Sequence, residues 1–194
     1  MSFESPSSFT GHLKNGSHTL LLYEDKMKAE QIRLDFIKDG LENNQTCVYI
    51  TTESDGKKFE KSLREKNLDI SKVKEEGLFH VYNIDNPFTN YGGFGKSIDK
   101  IWKDLSQKIK SPMRIACNIV GDVSALSENQ VQDLLEKESC INDDFVKSED
   151  MLLCTYFVGN VGSETSSKFL QAIKHHSSVM FAPVESEGIG FNLD

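Results

Sequence analysis

The side chains best equipped for chemistry are spread along this sequence rather than gathered in one motif. His18 opens an apolar run, and Tyr23, Glu24 and Asp25 close it. Glu53 follows the β-rich run Cys47–Thr52, and Asp122 stands with Ser124 after Met113–Val120. Carboxylates at such places suit a cation, an amine or a polar neutral ligand better than a phosphate. Their structural alternative is local. Glu24 and Asp25 open a helix, where the dipole favours negative charge, and Asp122 with Ser124 can satisfy their own turn. Glu138 lies on the apolar stripe set by Val131 and Leu134, where a carboxylate needs a partner or a raised pKa. Arg33, flanked by Ala29, Phe36 and Ile37, is placed alike. A structural Arg33–Glu138 pair is therefore one expectation and a functional Glu138 the other.

Metal and nucleophile chemistry find less support. His175 and His176 are adjacent, so on a helix they point about 100° apart and do not face one ion. His80 sits within a strand without a nearby acidic or cysteine partner, and a lone histidine such as His18 is more often a hydrogen-bonded structural residue. Cys47, Cys117 and Cys154 fall in apolar β-runs, where cysteine acts as a small hydrophobe; Cys140 does not. There is no CxxC, HExxH or GxSxG. Neither a metal site nor a catalytic residue is expected. Asp122 with Glu53 can in principle activate a water, as in ATPases, but no GxxxxGK[ST] lies between Tyr23 and Glu30 to hold the phosphate. ATP and magnesium are not expected cofactors.

The elements that must position these residues alternate. His18–Tyr23 reads as a buried strand. Ile32, Phe36, Ile37 and Leu41 recur at helical spacing, with Gly40 near the helix end. Cys47–Thr52 is the second strand, Lys57–Lys66 a helix, and Leu78–Tyr82 the third strand. The long Asn83–Gly95 stretch holds Phe88, Tyr91 and Phe94, a candidate lid or partner contact. Ile98, Ile101, Trp102, Leu105 and Ile109 mark a helix that Ser111-Pro112 stops. Met113–Val120 is the fourth strand, Ser127 caps a fourth helix, and Met151–Val158 is the fifth strand. Phe169, Leu170, Ile173 and His176 share a face of a fifth helix, and Val179–Val184 and Ile189–Leu193 form a closing strand pair. The pattern predicts an α/β fold: a mostly parallel sheet with helices on both faces and a C-terminal antiparallel pair. Residues 1–17 read as a flexible arm and 18–194 as one domain. Ligands bind such sheets beyond the carboxyl ends of the strands. That rim carries Tyr23, Glu24 and Asp25, then Thr52 and Glu53, Tyr82 and Asn83, Gly121, Asp122 and Ser124, and Gly159 and Asn160.

With 194 residues and a net charge of −8, the chain suits one sizeable domain and disfavours nonspecific nucleic-acid or anionic-membrane binding. It has neither an apolar run of membrane-spanning length nor a signal-peptide core near the start, so a cytoplasmic protein is expected.

From His18 onward the segments SHTLLLYED, FIKDGLENNQTCVYIT, the Gly77 strand start, NIVGDVSAL, LLEKESCINDDF, LLCTYF and the late His176 occur in an order that resembles the MEDS domain, the sensory domain of DcmR-type regulators. The family resembles RecA/KaiC ATPases that have lost the phosphate loop, and Glu53 falls near a KaiC catalytic carboxylate. The resemblance implies a three-layer RecA/KaiC-like sheet. It also implies a stand-alone sensory or adaptor domain in signalling or transcriptional regulation, binding a small ligand or a signalling protein without catalysis. A divergent nucleotide-binding ATPase and an oligomerising structural subunit are the alternatives. The candidate ligand-binding residues are His18, Tyr23, Glu24, Glu53, Asp122, Ser124, Glu138 and Tyr156.

Overall fold

The computed structural model describes residues 4–145, 147–159 and 169–193. Among them run α1 (Pro6–Thr10), β1 (His18–Tyr23), α2 (Lys26–Glu42), β2 (Thr46–Thr51), α3 (Glu53–Glu65), α4 (Ile70–Glu75) and β3 (Phe79–Asn83). These are followed by α5 (Phe94–Lys108), β4 (Met113–Cys117), α6 (Glu128–Phe145), β5 (Met151–Phe157), β6 (Ser178–Ala182) and β7 (Ile189–Asn192). Short 3₁₀ turns lie at Asn90–Gly92 and Val123–Ala125. The strands form one seven-stranded sheet in the order β3-β2-β4-β5-β1-β6-β7. Neighbours are parallel except β7, which runs antiparallel to β6.

β1 lies inside the sheet with β5 and β6 on either side, and all six of its residues are buried. Strand alternation divides its side chains between two cores. Leu20 and Leu22 join a core built with α5 and α6, whereas Leu21 and Tyr23 join one built with α1, α2, α3 and α4. β5 alternates in register: Leu152, Cys154 and Tyr156 share the face of Leu20 and Leu22.

Several local expectations change. The fourth strand ends at Cys117 rather than Val120; Asn118 still donates its backbone N–H to Ile50, but its side chain is drawn into a polar network described below. α3 begins at Glu53, four residues before the expected start. The segment before β1, read as a flexible arm, carries α1, which packs on α2 and β7 with Phe9 and Leu13 buried. α4 was not foreseen; Asp69 caps it by accepting from Lys72 N. Gly40 lies near the end of α2, which runs to Glu42, and its role there is packing. A Cβ there would lie 2.5 Å from Cys47 Sγ and 2.8 Å from Arg114 Cδ, so glycine lets the helix approach the sheet. Gly188 shapes the β6–β7 connection at φ 88°, with no room for a side chain against Phe181 O. The helical residues 169–173 bury Phe169 and Ala172, but Leu170 is 57% exposed and His176 lies past the helical residues. The expected aromatic surface of the Asn83–Gly95 stretch is reduced to Tyr91. Phe94 is buried at the start of α5, and Phe88 stacks on it at 5.0 Å. Ser97 Oγ donates to the carbonyl region of this loop, 2.7 Å from Pro87 O and 2.9 Å from Asn90 O. Among the described residues, no helix is long and apolar enough to cross a membrane.

Candidate functional site

Two polar assemblies stand out, one at the carboxyl edge of the sheet and one inside the α5/α6 core. At the edge, the ends of β1, β2, β4 and β5 surround a cleft of about 330 Å³ lined by Tyr23, Lys26, Thr51, Asp55, Asn118 and Asp122, among others. It opens where adjacent strands β2 and β4 send their following helices to opposite faces of the sheet, the usual ligand position in open α/β sheets.

The cleft is built around Asp55, in the first turn of α3. Its Oδ2 accepts from Tyr49 Oη at 2.6 Å, Thr51 Oγ1 at 2.5 Å and Asn118 Nδ2 at 3.1 Å. Thr155 Oγ1 extends the network, donating to Cys117 O at 2.8 Å beside the Asn118 amide. Burial works to raise the Asp55 pKa, but the three donors and the Arg33 charge outweigh it and hold the carboxyl below its usual value. Arg33 is itself buried, with its guanidinium 5.8 Å from the Tyr23 ring and with Nε and Nη1 lacking hydrogen-bond partners. The anticipated Arg33–Glu138 pair does not form, because α2 and α6 cover opposite faces of the sheet.

The rim residues divide. Tyr23 and Asp122 line the cleft. Asp122 Oδ1 also accepts from Ser124 N and Ser124 Oγ, at 2.9 and 2.7 Å, closing its own turn. Asp25 caps α2 by accepting from Met27 N and Lys28 N. Glu24 does not cap; its Oε2 accepts from Val184 N at 3.3 Å, beyond the end of β6. Glu53 is exposed and pairs with Lys57 at 2.6 Å on the outer side of α3. Asn160 lies outside the described residues. Lys28 Nζ donates to the carbonyls of Pro183, Val184 and Ser186 at 2.7–2.8 Å, and Lys26 sits 4.8 Å over the Phe157 ring.

The second assembly follows from strand register. His18 shares a face with Leu20 and Leu22, Cys154 and Tyr156 project from β5 on that side, Glu138 comes from α6, and His176 precedes β6. Glu138 Oε2 lies 3.1 Å from His18 Nε2 and 3.3 Å from His176 Nε2. Tyr156 Oη donates to Glu138 Oε1, and Cys154 Sγ is 3.5 Å from His18 Nε2. The two imidazoles are 3.9 Å apart between centroids. His176 Nδ1 donates to Ala172 O at 2.7 Å. Burial, helped by His176, pushes the His18 pKa down to about 4 against the opposing pull of Glu138. For Glu138 burial acts upward, but His176 and His18 outweigh it and hold the carboxyl well below the usual range. Burial raises the Cys154 thiol and the Tyr156 phenol. A mostly apolar cavity of about 20 Å³ touches Glu138, Cys154 and Tyr156, space for roughly one water.

Of the sequence candidates, then, His18, Glu138 and Tyr156 converge in the core, and Tyr23 and Asp122 meet at the cleft. Asp55, Asn118 and Thr155 were missed. Asp55 sits two residues past Glu53 in a polar run, and only the register of β2 against β4 brings Asn118 to it.

The fold places the chain among α/β domains built on a single mostly parallel sheet. It is similar to the solved structure of a protein from Pyrococcus horikoshii OT3, with a TM-score of 0.57 at 12% identity over 96% of this chain and 90% of that one. At that identity the likeness concerns fold alone. No curated protein matches the chain. Residues 17–176 match the model of the MEDS family, the methanogen/methylotroph DcmR sensory domain. The chain belongs to that family of sensory domains.

Proposed function

We propose that this domain senses a small polar ligand, cationic or rich in hydrogen-bond donors, that enters the cleft at the carboxyl edge of the sheet and acts without phosphoryl chemistry. The observation that carries this reading is Asp55. Its carboxylate is kept ionised at the cleft by donors from β2 and from the end of β4, so a cation or amine meets a fixed acceptor there. A ligand that competes for Asp55 releases Asn118, which also touches Thr155 on β5. Occupancy is thereby linked to the arrangement of three strand ends and the α3 start. A signal passes to a partner protein only if the ligand prefers one arrangement of these groups over another.

The reading against nucleotide is supported by the Tyr23–Met27 turn. It lacks glycine, Asp25 occupies the helix N-terminus, Lys28 just beyond it is spent on three carbonyls, and Lys26 lies over the Phe157 ring. An anion cradle of the phosphate-loop kind needs free backbone N–H groups and a free cation there.

Calorimetric titration of the chain and its Asp55→Asn variant with a panel of small amines, polar neutral compounds and ATP with magnesium tests the proposal. A panel amine or neutral compound that binds the chain and loses at least tenfold in affinity in Asp55→Asn supports it. Micromolar binding of ATP with magnesium that is lost in Glu53→Gln or Asp122→Asn overturns it.

A further inference from the structure

We infer that His18, Glu138, Cys154 and His176 form a binding site for one divalent transition-metal ion of the zinc class. The inference rests on the core cluster and is independent of the ligand proposed for the cleft.

The donor atoms of these four residues all lie within 4.8 Å of one another. Tetrahedral zinc, with bonds of about 2.05 Å to nitrogen and oxygen and about 2.3 Å to sulfur, sets N–O edges of about 3.3 Å and N–S edges of about 3.6 Å. The corresponding separations here are 3.1 and 3.3 Å from Glu138 Oε2 to the two histidine Nε2 atoms and 3.5 Å from Cys154 Sγ to His18 Nε2. Three of the six edges of the coordination polyhedron are thus already near their final lengths.

Two of the four atoms that face the centre lack hydrogen-bond partners, while His18 Nε2 and Cys154 Sγ face each other. Glu138 Oε2 and His176 Nε2 are buried and have no hydrogen-bond partner. His176 Nδ1 faces a carbonyl, which can only accept, so Nδ1 carries a proton. In the neutral ring Nε2 is then a lone pair, turned toward a carboxylate oxygen. With the ring neutral, two lone pairs in that relation repel across a buried space; a proton on Nε2 makes the pair attractive in the empty site, and a metal ion between them makes it a coordination. The surroundings are also those of a metal site. A backbone carbonyl fixes the ring of His176, and Tyr156 holds the other carboxylate oxygen, as outer partners commonly do for ligating histidines and carboxylates.

Charge balance favours the same occupant. Cys154 gives up its thiol proton to solvent on binding and ligates as thiolate. Thiolate and carboxylate together neutralise a divalent ion, so the loaded centre has no net charge inside an apolar core. Mixed nitrogen, sulfur and oxygen donors in a tetrahedral arrangement select zinc among common divalent ions, and cobalt(II) reports on the same geometry. Two imidazoles on one tetrahedral ion have centroids about 5 Å apart, against 3.9 Å here. Loading therefore spreads His18 from His176 at the β1–β6 junction. Adjacency of His175 and His176 argued against a metal in the sequence; the partner of His176 is instead His18, which the fold brings beside it.

The test is to refold the full chain from denaturant with one equivalent of cobalt(II), remove loosely held ion on a desalting column, and record metal content and visible absorption. The expected result is one ion per chain, intense d–d bands of tetrahedral cobalt and a thiolate-to-cobalt charge-transfer band. Cys154→Ser is expected to lose the charge-transfer band, and His18→Gln to lose at least tenfold in affinity. Circular dichroism identifies a variant that fails to fold, in which case Cys154→Ala and His176→Gln replace it. A folded chain that retains no cobalt overturns the inference, as does retained cobalt whose spectrum is the same in the folded Cys154 variant.

Discussion

Glu138 and Asp55 are both carboxylates held below their usual pKa by neighbours, and they sit on opposite sides of the same sheet. Glu138 is 1% exposed, and its partners come from β1, β5 and the residue stretch before β6. Asp55 is only partly buried, and its partners are strand-end donors that line or adjoin an open cleft. The physical difference is access. A group sealed in the core fixes how elements meet, and replacing its partners disturbs the whole fold. A group at the strand ends is open to solvent on one side, so a change of its partners reaches the strand ends and spares the core. The two regions also differ in how they tolerate charge, because an ion in the core must be balanced within a few ångströms, whereas water screens much of the charge at the cleft.

Substitutions sharpen that contrast, beginning with the largest effect. Glu138→Ala strips Tyr156 of its acceptor and leaves His18 and His176 without their anion. It is expected to destabilise the metal-free chain by about 3–5 kcal/mol, the range for breaking a buried charged assembly, as read from urea unfolding. Tyr156→Phe removes only the donor to Oε1 and should cost about 2–3 kcal/mol, since it strands one acceptor of a buried charge. Either variant proving as stable as the parent chain would show that the core cluster does not hold the fold together.

Asp55→Asn is expected to cost less, about 1–2 kcal/mol, as charged hydrogen bonds become neutral ones at a partly solvated site. It also has a pH signature. The folded Asp55 pKa lies below the unfolded value of about 3.9. Its stabilisation is therefore fully present above the unfolded value and is lost as pH falls through the lower folded value. The stability difference between parent and Asp55→Asn should then shrink between pH 5 and pH 2, measured by denaturant midpoints across about that range. A difference that grows on acidification contradicts the ionised Asp55. Glu53→Gln has the smallest expected effect. Glu53 is exposed and meets only Lys57 on its own helix, so the thermal midpoint and the ligand affinity should both stay unchanged within error; a changed affinity would move the cleft outward to include it.

The legible part of this structure was what periodicity controls. Among the described residues the apolar runs locate all seven strands, and β1 matches its expected bounds because His18–Tyr23 is flanked by turn-forming residues and buried throughout. The order of strands in the sheet is not written in periodicity, and both polar assemblies depend on it. His18 and Cys154 meet because β1 pairs with β5, and Asn118 reaches Asp55 because β4 lies beside β2. Glu138 stands out in the sequence as a carboxylate on an apolar stripe, but its partner does not, since nothing in one helix says which face of the sheet it covers. The short helices α1 and α4 escaped notice because too few residues repeat in five or six positions to establish a helical stripe. Phe94 reads as a loop aromatic because Gly92 and Gly93 resemble loop residues, whereas in the fold Gly93 caps α5 and Phe94 begins it.

The most direct measurement is an amide chemical-shift titration of the isotope-labelled chain with small amines and, separately, with ATP and magnesium. A sensory cleft centred on Asp55 predicts amine-dependent shifts at Tyr23, Thr51, Asp55, Asn118 and Gly121, absent in Asp55→Asn, with His18 and Cys154 unmoved. Saturable shifts produced by ATP at Glu24–Lys28, with none of the amines moving the Asp55 network, would contradict it.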